Sequence, residues 1–360
     1  MKVMCLYLPQ YHEFKENNEW WGKGYTEWTA VKSAKPLYKG HIQPKIPLND
    51  NYYDLKRDGV ETLKWQAELA NQYGIYGFSF YQYWFLGKQL METPMETLLQ
   101  HPEIPMRYNI CWANETWTRT WYGLESEILM KQEYGTKDDW EKHFLYLLPF
   151  FKDERYIKIE GKPVFQIYRT TDIGQLSEML GYFRKRAREE GFEDLHVISG
   201  NTAGELETRK ELVDGFYNFE PGFTLKHHIG ATKMLKYNVS VFMKSFYNKI
   251  LKKQVLERSI KAKWILDSIT SRNYDLNEYP GLIADWDNTP RRSYKGLVYK
   301  GTNPKDFERA LSILKEKVQG RTCDFVYINA WNEWGEGAVL EPDTDKKYGY
   351  LESVKRISKK

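Results

Sequence analysis

The chain has 360 residues, 41% of them hydrophobic, and a formal net charge of +4 at neutral pH. Barrels of ~250 residues or more with insertions are common, so this length fits one large domain or two small ones. No apolar run approaches the ~18 residues of a membrane span, and three distant cysteines without metal-ligand spacing argue against a disulfide framework or a zinc site.

Eight short apolar, β-branched or aromatic runs predict strands, and most of them are separated by segments with helical periodicity. The predicted strands are 3–8, 75–83, 106–112, 163–168, 195–200, 215–219, 281–284 and 325–329, and the predicted helices are 55–73, 95–100, 140–151, 176–190 and 304–318. This alternation predicts parallel βα units, and eight of them predict an α/β fold of the (β/α)8 TIM barrel type. A doubly wound sheet is the main alternative, but no Gly-x-Gly-x-x-Gly follows the first strand and no P-loop occurs.

We therefore expect residues 1–360 to form a single catalytic barrel domain with long loop insertions at its C-terminal face. Residues 9–53, with two adjacent tryptophans and several prolines, predict a long structured loop over the barrel mouth. Residues 226–273 carry eleven Lys or Arg and two acids, interleaved with apolar residues, and predict one or two basic amphipathic helices. A solvated helical insertion is the first interpretation of this segment, and contact with an anionic membrane surface or an anionic glycan is the alternative.

Functional side chains of a barrel collect just after the strands, at the C-terminal face, and polar and aromatic residues follow the predicted strands here. The 13 Trp, 27 Tyr and 17 Phe exceed what a core of this size needs, which favours stacking sites for flat ligands such as sugar rings. The residues that we expect to bind substrate are Tyr7, Gln10, His12, Trp28, Tyr81, Trp84, Trp112, Asn114, Glu115, Arg119, Glu220, Asp285, Trp286, Asn332 and Trp334.

The most informative stretch is NAWNEWGEGAVLEP at 329–342, in which Glu333 and Glu336 lie three residues apart just after the last predicted strand. Cleavage of a glycosidic bond needs an acid for the leaving oxygen and a second group at the anomeric carbon. Two glutamates on one short loop approach a sugar from the same side, which fits poorly with backside attack by one of them. It fits better with a substrate-assisted route, in which one glutamate takes the proton of the 2-hydroxyl and the other protonates the leaving oxygen. That route requires a 1,2-trans linkage.

Other interpretations stay open. Asn114 and Glu115 look like the Asn-Glu pair of many barrel glycosidases, so Glu115 with Glu333 is a competing catalytic pair. A glycosyltransferase with an activated donor is a second function, for which Asp343-Thr344-Asp345 is a weak metal-binding signal. A non-catalytic glycan-binding protein would need the aromatic residues but not both glutamates. We expect no metal, cofactor or nucleic acid partner, and the oligomeric state is not predicted.

Several long motifs together resemble the WbsX-like family, which is similar to glycoside hydrolase family 99. They are YLPQYH (7–12), WWGKGYTEW (20–28), KPLYKGHIQPKIPL (35–48), YYDL (52–55), CWANETWTRTW (111–121), ADWDNTPRR (284–292) and NAWNEWGEGAVLEPD (329–343). Members of the WbsX-like family are encoded among bacterial lipopolysaccharide and capsule genes and are often labelled glycosyltransferases.

The resemblance implies a (β/α)8 barrel that acts on α-mannoside-like bonds, with its two acids in an Asn-Glu-Trp-x-Glu-Gly stretch. Carried over to this chain, Glu333 would act on the 2-hydroxyl and Glu336 would be the acid and then the base, through a 1,2-anhydro sugar. Family 99 enzymes are mostly secretory or surface endo-enzymes. This sequence begins without a signal peptide, so we expect a cytoplasmic protein, or a periplasmic one if a leader was removed.

Overall fold

The computed structural model describes residues 1–118, 127–252 and 255–358. Within these ranges, eight parallel strands form a closed ring in chain order. The strands are β1 (Lys2–Tyr7), β2 (Gly77–Phe85), β3 (Tyr108–Trp112), β4 (Lys162–Ile167), β5 (His196–Asn201), β6 (Gly215–Asn218), β7 (Glu278–Tyr279 and Gly281–Ile283) and β8 (Phe325–Asn329). All eight overlap the runs predicted from the sequence, so the (β/α)8 barrel is confirmed.

The ring closes through β7, which is interrupted at Pro280. Glu278–Tyr279 pairs with β6, and Gly281–Ile283 pairs with β8. The last strand, β8, pairs in turn with β1. Proline has no backbone N–H to donate to a ladder, which explains why β7 is divided at this residue.

Helices surround the barrel and fill its connections. They are α1 (Lys15–Trp21), α2 (Glu27–Ser33), α3 (Gly59–Tyr73), α4 (Thr93–Gln100), α5 (Lys137–Lys152), α6 (Leu176–Glu189), α7 (Ala231–Ile250), α8 (Ala262–Ser271), α9 (Thr289–Arg292), α10 (Pro304–Val318) and α11 (Gly349–Ser358). Among them, α8 packs against α10, and α10 packs against α11. Because helices cover the outside and side chains fill the inside, the strands are buried almost throughout.

Two segments between strands bear on function. Residues 9–53 contain α1 and α2, and α2 packs on α9 and on the short turn Trp334–Glu336. Residues 226–273 contain α7, a strand at Arg258–Lys261 that pairs with Leu297–Lys300, and α8. The described parts of the chain include no helix that is both long and apolar enough to cross a bilayer.

Gly281 allows β6 and β7 to approach each other, and this contact yields a prediction about stability. A Cβ atom at Gly281 would lie 2.0 Å from the backbone oxygen of Asn218 and 2.7 Å from Cγ of Glu220. We expect Gly281→Ala to lower the free energy of unfolding by about 3 kcal/mol, because the backbone must move to relieve the overlap. Chemical denaturation measures this loss. The matched control is Gly181→Ala in α6, where a Cβ meets nothing within 4 Å, and equal unfolding midpoints for the two variants would contradict the prediction.

Candidate active site

The loop after β8 is fixed in place by hydrogen bonds to the strand next to it. Residues Asn332–Glu333 pair with Ala338–Val339 in a short hairpin around the turn Trp334–Glu336. The side chain of Asn332 accepts a bond from Leu8 N at 2.8 Å and donates one to Leu8 O at 3.0 Å. The indole of Trp334 donates to Glu341 at 2.7 Å. Glu333 and Glu336 are therefore presented at the barrel mouth by a loop that is tied to the end of β1.

The other side of the same loop is held by the segment after β7 and by Lys45. The backbone N–H of Asp287 donates to the carbonyl of Glu336 at 2.7 Å. The ammonium of Lys45 donates to the carbonyl of Gly337 at 3.1 Å and also binds Asp285 at 2.6 Å. These bonds fix the backbone directly after the Glu336 side chain.

Arg291, on α9, joins three carboxylates at this site. Its Nε and Nη2 contact Glu27 Oε1 at 2.8 and 2.7 Å, Nη2 also donates to Glu333 Oε2 at 2.9 Å, and Nη1 lies 3.1 Å from Glu336 Oε1. The Arg291 side chain is only 5% exposed and that of Glu27 only 3%. One guanidinium thus binds acids that follow β1 and β8, and we call these four residues the Arg291 cluster.

Position 335 requires glycine, because the Glu27 carboxylate occupies the space that a side chain would need. A Cβ at Gly335 would lie 1.8 Å from Oε1 of Glu27 and 2.6 Å from Nε of Arg291. A glycine between the two glutamates of the loop is thus a packing requirement of the ion pair between α2 and α9.

Burial governs the protonation of the cluster. Desolvation raises the pKa of Glu333 to about 8, with Arg291 opposing the shift and the Glu336 and Glu27 carboxylates adding to it. Desolvation also raises the pKa of Glu336, again against the effect of Arg291. One guanidinium neutralises only one of these two carboxyls. Glu333 therefore stays largely protonated near neutral pH, and Glu333 and Glu336 titrate as an interacting pair.

A cavity of about 290 Å³ opens in front of these glutamates, with largely aromatic walls. Its lining includes Glu333 and Glu336 together with four of the residues that we expected to bind substrate, namely Gln10, Tyr81, Glu115 and Trp286. The aromatic side chains of the walls are those of Trp21, Tyr25, Tyr81, Tyr83, Trp117, Tyr168, Phe219 and Trp286. Flat aromatic walls with a few convergent carboxylates are typical of a sugar-binding cleft.

Glu115 lies on the wall formed by the ends of β3 and β4. It forms an ion pair with Arg169 at 3.3 Å, and desolvation raises its pKa while Arg169 opposes the shift. Arg169 is held in turn by Asn114, whose amide accepts from Arg169 N at 2.9 Å and donates to Arg169 O at 2.8 Å. Glu115 thus pairs with Arg169, which also contacts Asp172 at 3.2 Å.

Several residues that we expected to contact substrate are buried and are not part of the lining of this cavity. The hydroxyl of Tyr7 donates to Gln66 at 2.8 Å, the indole of Trp28 donates to Tyr53 O at 2.8 Å, and Asn332 and Trp334 hold the loop as described. The rings of Trp84 and Trp112 both pack on the buried ring of His143. Their role in substrate binding stays a prediction.

The remaining expected residues lie elsewhere. His12 is buried, and desolvation lowers its pKa to about 4. Glu220 is fully buried and accepts bonds from Thr224 N and Oγ1 at 3.0 and 2.6 Å. Asp285 binds Lys45 beside a separate polar cavity. Arg119 lies outside the described residues.

Sequence reasoning did not single out Glu27 or Arg291 as site residues, although both fall in quoted motifs. Their pairing spans 264 positions, and nothing local distinguishes a buried Glu or Arg from a solvated one. Tyr168 and Phe219, at the ends of β4 and β6, were also missed. Their positions at strand exits were the available signal.

The raised pKa of Glu333 makes stability depend on pH. Because the pKa in the folded state is about 8, against 4.5 for an unperturbed glutamate, the folded chain binds more protons between these values, and stability falls as pH rises through this window. Glu333→Gln removes the titrating carboxyl and with it this pH-dependent loss of stability. We expect the thermal midpoint of the variant to exceed that of the wild type by ~2 °C or more at about pH 8.5, and by less at about pH 5. Thermal melts at both pH values test this, with the surface change Glu178→Gln as control, and an unchanged difference between the two pH values would contradict it.

Comparison with known proteins shows the family to which this chain belongs. Residues 3–354 match the family model described as Glycosyltransferase WbsX. The uncharacterized protein WxcX from two strains of Xanthomonas campestris pv. campestris is 32% and 31% identical over 360 residues, covering 98% of this chain. The chain spans about half the length, 49%, of these curated relatives.

Solved structures with the same fold include the GH99 endo-alpha-mannosidase from Bacteroides thetaiotaomicron, with a TM-score of 0.54 and 13% identity, covering 99% of this chain and 96% of that one. A glycoside hydrolase-like protein gives a TM-score of 0.60 at 12% identity, with coverages of 99% and 93%. From its whole-length match and its relatives, the chain belongs to the WbsX glycosyltransferase family, a family of carbohydrate-active enzymes, and it has a glycoside hydrolase-like TIM barrel fold.

Proposed function

We propose that this chain is a retaining glycoside hydrolase or transglycosidase that acts on a 1,2-trans bond, such as an α-mannoside or α-rhamnoside, within a polysaccharide. The observation that carries the proposal is that Glu333 and Glu336 line one aromatic cavity and bind terminal nitrogens of the same guanidinium. The catalytic residues would be these two glutamates, and no metal or cofactor takes part in the chemistry.

The mechanism has two steps. In the first, Glu333 accepts the proton of the 2-hydroxyl while O2 attacks C1, and Glu336 donates its proton to the leaving oxygen, giving a 1,2-anhydro sugar. In the second, Glu336 accepts a proton from water or from an acceptor hydroxyl, whose oxygen attacks C1. Glu333 then returns the proton to O2. The two inversions at C1 give net retention.

The position of the two glutamates supports this route over a double displacement with a glutamate nucleophile. A retaining pair of the usual kind faces its partner across the anomeric carbon, with carboxyls about 5–5.5 Å apart on opposite sides of it. Here Nη1 and Nη2 of Arg291 bind the two carboxylates, so both approach from the same wall of the cavity. Side-by-side carboxyls can reach O2 and the leaving oxygen of one sugar, but they cannot lie on opposite faces of C1.

The charges around the two glutamates bear on the required protonation states. The reaction starts with Glu333 ionised and Glu336 protonated, and burial raises the pKa of both carboxyls, that of Glu333 to about 8. Burial favours the protonated form that Glu336 needs, while Arg291 favours the ionised form that Glu333 needs, and the ionised fraction of Glu333 grows as the pH approaches 8. A site with one proton shared between neighbouring acids is suited to general acid–base work near neutral pH.

The rest of the cavity supports binding of a saccharide. Tyr81, Trp286 and the other aromatic walls offer faces for sugar rings, and Gln10 offers an amide for hydroxyl groups. We assign Glu115 to hydroxyl binding, because it lines the cavity and is held by Arg169 at 3.3 Å. The similar fold of an endo-alpha-mannosidase agrees with an α-manno-configured substrate.

A glycosyltransferase is the second candidate, because the matched family carries that description. In a glycosyltransferase, the same two glutamates would act in the transfer of a sugar from an activated donor to a hydroxyl group of the acceptor. Metal-dependent use of a nucleotide sugar, with no action on an aryl glycoside, would support this candidate over the hydrolase.

The proposed roles of the two glutamates predict different responses to the leaving group. We expect Glu336→Gln to lower kcat/KM on an aryl α-mannoside or α-rhamnoside with a poor leaving group by about 10²–10⁴-fold, and to retain more activity when the leaving group needs no proton. Glu333→Gln should be equally impaired on both substrates, because activation of O2 is needed in either case. Steady-state kinetics on a pair of aryl glycosides measures the contrast.

Glu115→Gln is the matched control for this experiment. If Glu115 binds substrate, the change should raise KM with a smaller effect on kcat, whereas a loss as large as that of Glu336→Gln would favour the competing pair of Glu115 with Glu333. An inverted product by NMR, or turnover of a 2-deoxy substrate, would refute the 1,2-anhydro route. Strong glycan binding that is unaffected by either glutamate change, without any cleavage, would indicate a binding protein.

A further inference from the structure

The long helix α7 exposes an unusually apolar face. Six large apolar side chains repeat at helical spacing along it and are all exposed, with Phe242 68% and Leu235 64% accessible. They are Leu235, Val239, Phe242, Met243, Phe246 and Ile250, which we call the apolar stripe. At about 100° of rotation per residue, they fall within an arc of about 100° on one side of the helix. An amphipathic helix of a globular domain would normally bury such a face.

Polar contacts hold the opposite face of α7 on the protein. The ammonium of Lys233 donates to Ser268 Oγ at 3.1 Å, and that of Lys244 donates to Glu257 Oε1 at 3.1 Å and to Ser259 Oγ at 2.9 Å. Near the end of the helix, Asn248 accepts bonds from the N–H groups of Val255 and Leu256. These polar contacts fix the orientation of the helix. Because they hold the face opposite to the apolar stripe, the stripe faces away from the protein.

The charge around the stripe has one sign. Residues 221–256 contain no Asp or Glu, whereas Lys residues recur throughout the helix. Lys236 and Lys249 are exposed, and at ~100° per residue they lie at the two edges of the stripe. An apolar stripe bordered by lysines on both sides is the pattern of a helix that lies in the plane of an anionic lipid interface.

We propose that α7 binds the surface of an anionic lipid bilayer, with the apolar stripe inserted at the level of the headgroups and Lys236 and Lys249 contacting lipid phosphates. Charge complementarity favours this partner over a second copy of the chain. Two copies joined through this stripe would bring their lysines together without acids to neutralise them, whereas anionic headgroups supply the opposite charge over the whole length of the helix. A helix of 20 residues, ~30 Å long, provides a long contact line.

The attachment of α7 connects this surface to the cavity. The helix follows the C-terminal end of β6, the end at which the cavity opens. Glu257, which binds Lys244, also binds Lys300 at 2.7 Å, and Val298 on the same strand as Lys300 forms a bridge with Asp287. The segment of Asp287 leads directly into α9 and Arg291. Contacts therefore join the inner face of α7 to the segment that carries Arg291.

Vesicle flotation with the full chain tests the proposal. We expect the wild type to float with phosphatidylcholine vesicles that contain phosphatidylglycerol, to bind pure phosphatidylcholine weakly, and to be released by high salt. The double variant Phe242→Ser with Phe246→Ser should bind at least about tenfold more weakly, because transfer of two large apolar side chains from water is lost. Lys236→Glu with Lys249→Glu should abolish the preference for anionic vesicles.

The controls separate loss of binding from loss of folding. Leu276→Ser changes an exposed leucine, 81% accessible, outside α7 and should bind vesicles like the wild type. All variants should keep the wild-type thermal midpoint and unchanged turnover of a small aryl glycoside, if one is cleaved, since none of these side chains lines the cavity.

Three outcomes would overturn the proposal. They are failure of the wild type to float with anionic vesicles, equal flotation of the Phe242 and Phe246 double variant, and dimerisation in sedimentation velocity that this variant abolishes while vesicle binding is absent. The last outcome would assign the stripe to contact between copies of the chain.

Discussion

The candidate site depends on one ion cluster, in which Arg291 neutralises part of the charge of Glu27, Glu333 and Glu336. Without this cation, three carboxylates from α2 and the loop after β8 would repel one another in a poorly solvated place. With it, part of this repulsion is offset, although burial still raises the pKa of Glu333 and Glu336. The same contacts explain a local sequence feature, since Gly335 must lack a side chain for Glu27 to reach Arg291.

The barrel was predictable because buried parallel strands are almost continuously apolar. The observed β8, Phe325–Asn329, matches the predicted strand at both ends. The start of α3 differed from the prediction, because the helix begins at Gly59 and not at residue 55. Here the carboxylate of Asp54 accepts bonds from the N–H groups of Lys56 and Arg57, and this turn competes with helix for the same backbone donors.

The aromatic residues of the site were harder to predict than the glutamates. Successive side chains of a strand point to opposite faces, so a position near a strand exit does not say whether a ring faces the cavity or the helices. On β2, Tyr81 and Tyr83 reach the cavity, whereas Trp84 packs on His143 of α5. Glu333 and Glu336 were singled out from the sequence because their loop is rich in Trp, Asn and Gly, and their catalytic roles stay a prediction. Arg291 was missed because its partners come from distant parts of the chain.

Because β7 is divided at Pro280, the backbone pairing between neighbouring strands is not equally long all around the barrel. The Arg291 cluster ties the segment after β7 to the loops after β8 and β1, while the joint between β6 and β7 relies on a two-residue ladder and the close approach at Gly281. Cooperative opening costs least where backbone pairing is shortest. Phe219 and Trp286 border the cavity on the two sides of this joint. Local opening of the barrel at this joint would therefore change the distance between Phe219 and Trp286 without separating Glu333 and Glu336 from Arg291.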